Sequence, residues 1–255
     1  MAQRSSACST HRVFPPDEID AVVFDMGGVF VVPAPEAIGR MLREAGVDID
    51  FDVDTAHDAH YTGVRGITEL VAHTIVDERE PNTWLHYDRA YFGSVGLSGD
   101  ELERVIVSRD RSRRAESVEN VWTCVLQHNI DAFALISTRR PVAIVTNNNG
   151  TATQQCLDHR ICQLGDGPLP RAAAIVDSSV IQIAKPDPRI FRPAIDALGT
   201  ESARTLYVGD TVHADVLGAE AAGMPAVQLD PLDLHHDHDH WRLPDVVALA
   251  EHLAK

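Results

Sequence analysis

The stretch Ala21-Val22-Val23-Phe24-Asp25-Met26-Gly27-Gly28-Val29-Phe30 decides how this chain reads. Its β-branched and aromatic run predicts a strand buried on both faces, stopped by a carboxylate and two glycines. Asp25 therefore belongs at the carboxyl end of a strand. In an open α/β sheet that rim is where ligands bind, and Gly27-Gly28 lets the backbone turn sharply and come close to whatever Asp25 addresses. Taken alone, the same letters also describe an ordinary Asp-Gly turn.

Three later segments supply partners. Ala143-Ile144-Val145-Thr146-Asn147 is a second apolar strand, ending in a hydroxyl and an amide. Ile183-Ala184-Lys185-Pro186-Asp187-Pro188 delivers a lysine just before a helix start, with Asp187 as N-cap and Pro188 at the first helical position. Leu206-Tyr207-Val208-Gly209-Asp210 is a third apolar strand ending in a carboxylate, and Asp215 follows. Together these residues resemble the four motifs of the haloacid dehalogenase (HAD) superfamily, carried here by Asp25, Thr146, Lys185 and the pair Asp210/Asp215. The resemblance covers residues about 20 to 33 and 119 to 230.

Strands alternating with helices predict an α/β fold with a doubly wound parallel sheet. The pattern has a helix through Val121, Val125, Ile130, Phe133 and Leu135, a strand at Ala172 to Val176, and a helix through Ile190, Phe191, Ala194, Ile195 and Leu198. A helix from about Val212 to Ala222, a strand at Pro225 to Leu229 and a helix at about Pro244 to Ala254 complete it. Asn147-Asn148-Asn149-Gly150 opens a further helix, whose first N–H groups are expected to cradle phosphate oxygens. The resemblance adds a Rossmann-like strand order that sets Asp25, Thr146 and Asp210 side by side, and an inserted helical cap of the C1 type. Helical spacing at Ile38, Met41, Leu42 and Ala45, and again over residues 67–78, 82–95 and 99–108, agrees with such a cap. The domain reading is a tail at 1–18, a core at 19–33 and 119–255, and a cap at 34–118, with hinges near 31–35 and 114–120.

The resemblance also implies roles. Asp25 would be the nucleophile, with Mg2+ bound by Asp25, the Gly27 carbonyl and Asp210 while Asp215 orients the metal shell. Thr146, the N–H of Asn147 and Lys185 would bind the phosphate, Lys185 also keeping the nucleophile ionised. One position departs: family phosphatases carry a second Asp where this chain has Gly27. That removes a general acid and base worth roughly 10²–10⁴-fold.

Composition narrows the partners. The chain has 255 residues, 44% of them hydrophobic, enough for a real core. A formal charge of -16 opposes binding to a polyanion, so nucleic acid is not an expected partner, whereas a small phosphorylated metabolite is. No apolar span predicts a membrane helix and the first 18 residues lack an export-signal pattern, which places the protein in the cytoplasm. Cys8, Cys124, Cys156 and Cys162 form no CxxC spacing and are expected to be reduced packing residues. The cap carries Arg104, Arg109, Arg111, Arg113 and Arg114, read as a solvated helix end or a hinge, with one arginine facing an anionic substrate group as the alternative. His57, His60, Tyr61, Trp84 and His86 could reach a cleft, but none is assigned to the site. Nor is the run His235-His236-Asp237-His238-Asp239-His240, since nothing in the sequence fixes a ligand geometry there.

The function expected is a Mg2+-dependent phosphatase acting on a small phosphorylated metabolite through an aspartyl-phosphate. The alternatives are a haloacid dehalogenase-type hydrolase, which uses the same nucleophile without a metal, and a catalytically weak phosphometabolite-binding module. Asp210 and Asp215 argue against the dehalogenase, because extra carboxylates beside the nucleophile do nothing for chloride release.

Overall fold

The computed structural model describes residues 13–71, 81–113 and 120–255. Strand β1 (Ala21–Phe24) is buried throughout and leads, across the glycine turn, to a short strand β2 (Val31–Pro33). Helices α1 (Pro35–Glu44), α2 (Val53–Val71), α3 (Pro81–Ser94) and α4 (Gly99–Arg113) follow. The chain returns through β3 (Trp122–Val125), α5 (Gln127–Ser137) and β4 (Val142–Thr146). Next come α6 (Ala152–Asp158), β5 (Gln163–Leu164), β6 (Arg171–Ala172), β7 (Ile175–Asp177), α7 (Ser178–Ile181) and α8 (Arg192–Leu198). The last elements are β8 (Thr205–Gly209), α9 (Gly218–Ala221), β9 (Ala226–Leu229), β10 (Trp241–Leu243) and α10 (Val246–Leu253).

A six-stranded parallel sheet runs β10-β9-β8-β1-β4-β7. In its register Val23 lies between Ala143 and Tyr207, so β1 is central and the residue after it emerges between the ends of β4 and β8. Alternate side chains serve opposite faces. Val22, Phe24, Ile144, Leu206 and Val208 pack with α5 and α10, whereas Val23, Ala143, Val145 and Tyr207 pack with α8 and α9. Cover on both faces is why these strands read as unbroken apolar runs. Phe24, Phe30 and Phe133 meet in tilted and edge contacts at 5.2 to 5.7 Å, locking the turn after β1 onto α5.

The four helices between β2 and β3 have a core of their own, built on Ile38, Leu42, Val64, Ile67, Tyr91, Phe92 and Val105. Helix α2 starts at Val53, well before the apolar pattern at residue 67 predicts. Its buried face is carried by Ala56, Ala59, His60, Tyr61 and Val64, small and polar residues that dilute the periodic signal. Ile75 and Val76 lie outside the described residues, as do residues 1–12 with Cys8, and the connection at 114–119 with Arg114.

Residues 121–125, expected to begin a helix, instead supply strand β3, which pairs antiparallel with β2 through Val31 to Val125 and Val32 to Cys124. The backbone of this segment finds its partners across the helical insertion, and that tertiary pairing overrides local periodicity. The first expected hinge, near 31–35, is therefore half of a two-stranded ladder. The helix after Lys185 starts as a 3₁₀ turn at Pro188–Phe191, with Asp187 accepting from Arg189 N at 3.0 Å, before α8 begins. Likewise the segment after Asp210 starts as a wide π turn, Val212–Leu217, and only then becomes α9. Wide turns of this kind recur at functional sites, where they re-aim a side chain.

Candidate active site

Asp25, Thr146 and Asp210 stand at the ends of β1, β4 and β8, neighbours in the sheet, and all three are buried. The turn after Asp25 depends on Gly28, whose φ of 65° favours glycine and whose absent Cβ would overlap the Asp210 carboxylate. Gly27 differs. Its φ is not in the left-handed region, and a Cβ there would meet only the Trp122 ring, 3.5 Å away.

Lys185 is the cation of the site, 2% exposed. Its Nζ lies 3.0 Å from Asp25 Oδ2, 2.6 Å from Asp215 Oδ1 and 2.9 Å from the Tyr207 hydroxyl. The Asn147 side chain holds the lysine backbone from both sides, accepting from Lys185 N at 2.8 Å and donating to Lys185 O at 3.1 Å. Asn147 thus positions the lysine through its side chain, a role the sequence reading did not foresee.

Asp215 is spent on hydrogen bonds. Its Oδ2 accepts from Asp210 N, Thr211 N and Thr211 Oγ1, at 3.1, 2.9 and 2.7 Å, and its Oδ1 accepts from Lys185 and from Tyr207 at 3.0 Å. Burial would raise its pKa, but Lys185 and the Thr211 donors outweigh that and hold it below the usual carboxylate range. The other two acids are in the opposite state. Burial pushes Asp25 up to about 7 against the pull of Lys185, with Asp215 and Asp210 adding repulsion. Asp210 is also raised, by burial and then by Asp215.

Three carboxylates share this site with one lysine, and one oxygen from each lies within 4.8 Å of the other two. Asp25 Oδ1 is buried without a hydrogen-bond partner. An orphaned carboxylate oxygen among desolvated carboxylates suits a hard divalent cation, which takes oxygen ligands and offsets the surplus negative charge. The donor set fits Mg2+.

The expected phosphate cradle is corrected by the structure over Asn148–Ala152. Gly150 N and Ala152 N donate to Asp177 Oδ2, at 2.9 and 3.1 Å, Asn148 N to Ser178 Oγ at 3.1 Å, and Asn149 N to Asn148 Oδ1 at 2.7 Å. The buried Asp177 carboxylate at the end of β7 takes the place a ligand anion would have had.

A further correction comes from the helices. His60 on α2, passed over in the sequence, is 1% exposed and places Nε2 2.9 Å from Asp210 Oδ2 and Nδ1 2.8 Å from the Tyr87 hydroxyl. Burial drives its pKa down to about 3, so the ring is neutral, donating to Asp210 through Nε2 and accepting from Tyr87 at Nδ1. The next residue, Tyr61, donates to Gly28 O at 2.7 Å. Trp84, also unassigned from sequence, joins His60, Tyr87 and Trp122 around a cavity of about 460 Å³ that reaches Asp25, Thr146, Lys185 and Asp210. Arg109, from the run read chiefly as a solvated helix end, is buried and lines the same cavity. No sequence spacing could tie residues 60, 84 or 109 to Asp210, because the link is the docking of helices.

The histidine run after β9 is structural. Thr68 on α2 donates to Val64 O, leaving its hydroxyl to accept from His235 Nε2 at 3.0 Å, and His235 Nδ1 accepts from Gln228 Nε2 at 3.2 Å. Gln228 also donates to Asp210 O at 2.8 Å, while Arg65 forks onto Asp237 at 2.7 and 3.1 Å. The loop therefore fastens α2 to the sheet. No helix among the described residues is long and apolar enough to cross a membrane.

Known proteins share sequence and fold with this chain. A family model described as haloacid dehalogenase-like hydrolase matches residues 19–223. A phosphoserine phosphatase of Thermus thermophilus is 35% identical over 100 residues, 39% of this chain and 39% of that protein. A glyceraldehyde 3-phosphate phosphatase of Methanopyrus kandleri is 40% identical over 55 residues, 22% of this chain and 24% of that protein. The matched stretches thus span less than half the length of these curated relatives. Among solved structures, the HAD-hydrolase YfnB of Bacillus subtilis, bound to magnesium, covers 93% of this chain and 99% of its own at 17% identity and a TM-score of 0.55, a likeness of fold.

Proposed function

Because the chain belongs to the haloacid dehalogenase-like hydrolases, we propose that it is a Mg2+-dependent phosphatase of small phosphorylated metabolites, with Asp25 as nucleophile. The observation that carries this reading is the convergence of Asp25, Lys185 and Asp210 around an unpartnered Asp25 Oδ1. The phosphatases among the relatives support it, as does the cost of crowding carboxylates where no cation is to be held.

Asp25, the Gly27 carbonyl and Asp210 would hold the cation, which supplies positive charge against the phosphate oxygens and lets two acids share a site with a dianion. Asp215, saturated by five donors, orients Asp210 and Lys185 and takes no ligand role. Lys185 draws Asp25 toward its ionised form and offers charge to the equatorial oxygens as they gain it. Thr146 and the N–H of Asn147 bind the phosphate at the end of β4, and the helices over the rim act as a cap that excludes bulk water while the phosphoryl group passes to Asp25. Asp25 attacks phosphorus in line with the leaving oxygen, and water then releases phosphate from the carboxyl.

The test is phosphate release from a panel of phosphomonoesters with Mg2+ and with a chelator. Chelator-sensitive release that disappears in Asp25→Asn is expected. Metal-independent halide release from a 2-haloacid would replace the proposal with the dehalogenase reading.

A further inference from the structure

We infer that the cavity between the helices and the sheet rim is built for a planar aromatic leaving group, so that the preferred substrates are phosphate monoesters of phenols. The inference rests on the phosphatase reading and names its substrate class.

The first observation is the wall facing the phosphate end. Trp84 and Tyr87 on α3, Trp122 on β3 and His60 on α2 form a continuous set of rings. Trp84 lies 5.5 Å from Tyr87 and 6.5 Å from Trp122, and His60 lies 5.3 Å from Trp122, each pair close to edge-on. Val64 and Ile67 extend this surface. Two of its four rings have their polar atoms committed, the Tyr87 hydroxyl to His60 and the His60 ring to Asp210. A polyol phosphate would bury hydroxyls against ring faces that offer no hydrogen bond, which costs free energy, whereas a flat π-system meets edges and faces it can pack on.

The second observation is independent and concerns the reaction. Gly27, two residues after Asp25, carries no side chain that could protonate the departing oxygen, and the Trp122 ring stands 3.5 Å from where its Cβ would be. His60, whose two ring nitrogens are already engaged with Asp210 and Tyr87, does not replace it. The bond from Asp25 to phosphorus forms as the bond from phosphorus to the phenolic oxygen breaks. The electron pair leaves with that oxygen as phenolate, which takes a proton from water. A phenol, with a pKa of about 10, needs far less protonation in the transition state than an aliphatic alcohol does. Water then displaces Asp25 from phosphorus and inorganic phosphate departs. Ring packing and missing acid select the same class.

The experiment compares phenyl phosphate, propyl phosphate and acetyl phosphate as substrates of the full-length protein with Mg2+. Acetyl phosphate has the better leaving group but no ring, so a higher kcat/KM for phenyl phosphate reports recognition. That order is expected, with propyl phosphate slowest. Trp84→Leu should lower the phenyl-to-acetyl ratio about tenfold, as loss of aromatic packing predicts. A binding arm needs no turnover and no variant. Phenylphosphonate should bind the wild-type protein with Mg2+ at least about tenfold tighter than methylphosphonate in calorimetry. Release from acetyl phosphate with no preference for the phenyl ester or the phenylphosphonate overturns the aryl assignment and leaves the phosphatase reading standing. A ratio that Trp84→Leu leaves unchanged also overturns it. No phosphate from any of the three overturns both.

Discussion

His60 Nε2 lies 2.9 Å from Asp210 Oδ2, so a helix outside the sheet holds the carboxylate at the end of β8. This bond links the helical unit to the site more directly than any sequence motif does. His60→Ala removes the donor and leaves a buried carboxylate with one partner fewer. Partners of metal-binding side chains are typically worth about 10–100-fold in metal affinity or activity. Both Mn2+ affinity, read by paramagnetic resonance, and kcat should fall within that range. His60→Gln keeps an N–H near the Nε2 position and should recover part of both. Equal loss in the two variants would mean that His60 only fills space.

Asp25→Asn and Asp210→Asn should each abolish phosphate release while leaving the fold intact, since both positions carry excess negative charge. Chelation of the wild-type protein should have the same effect, reversed by Mg2+. The check is turnover alongside the thermal unfolding midpoint. An active Asp25→Asn protein would exclude Asp25 as the nucleophile.

Lys185→Met tests whether the lysine is structural as well as catalytic. It would leave Asp25 and Asp215 buried without their cation, and breaking a buried pair by removing one partner costs about 3–5 kcal/mol. Urea unfolding at pH 7 should show a loss of that order. The loss should shrink near pH 4, where the stranded carboxylates take up protons at less cost. A pH-independent loss would point to packing instead of charge.

The strands that carry these residues were legible because their chemistry is local. Ala21–Phe24, Val142–Thr146 and Thr205–Gly209 are apolar on both faces and end in polar groups, which only a covered parallel sheet explains. What escaped reading was set by partners far away in the chain. Trp122–Val125 looks helical until Val31–Pro33 is laid beside it. His60 reads as one more helical histidine, because the direction a helix face points is decided by docking. The N–H groups after Thr146 looked ready for phosphate only because Asp177, on a three-residue edge strand, could not be seen to cap them.

His240 offers a test of the histidine loop. Its Nε2 donates to Gln228 Oε1 at 2.7 Å, and burial, aided by Arg242 and the neighbouring histidines, lowers its pKa to about 4. An unfolded histidine titrates near 6.5, so between these values the unfolded chain binds the extra proton. His240 therefore costs the fold stability progressively as pH falls from about 6.5 to about 4, and costs nothing above that window. In His240→Gln this contribution is absent. The stability advantage of wild type over the variant should shrink on acidification across the window, measured by urea titration at several pH values. A constant difference would show that His240 is not held neutral by the fold.

Gly27→Asp asks whether a proton donor can be restored. The substitution keeps the backbone carbonyl assigned to the cation, and the local geometry admits it. Gly27 is not in the left-handed region, and the new Cβ would meet Trp122 at 3.5 Å, an ordinary contact. Gly28→Asp is the control that should fail, since its φ of 65° and the Asp210 carboxylate both exclude a side chain. If protonation limits the poor leaving groups, Gly27→Asp should raise turnover of propyl phosphate more than that of p-nitrophenyl phosphate, whose leaving group needs little help. General acid catalysis is worth roughly 10²–10⁴-fold, and an unoptimised donor beside Trp122 should recover about the lower end of that range. The ratio of the two substrates on one protein cancels any loss of folding or metal affinity. A new carboxylate near Asp25 adds repulsion, so both rates can fall while the ratio still shifts toward the alkyl ester. An unchanged ratio in a folded, Mg2+-binding variant would show that the proton reaches the leaving oxygen by another route, and that Gly27 marks no lost acid.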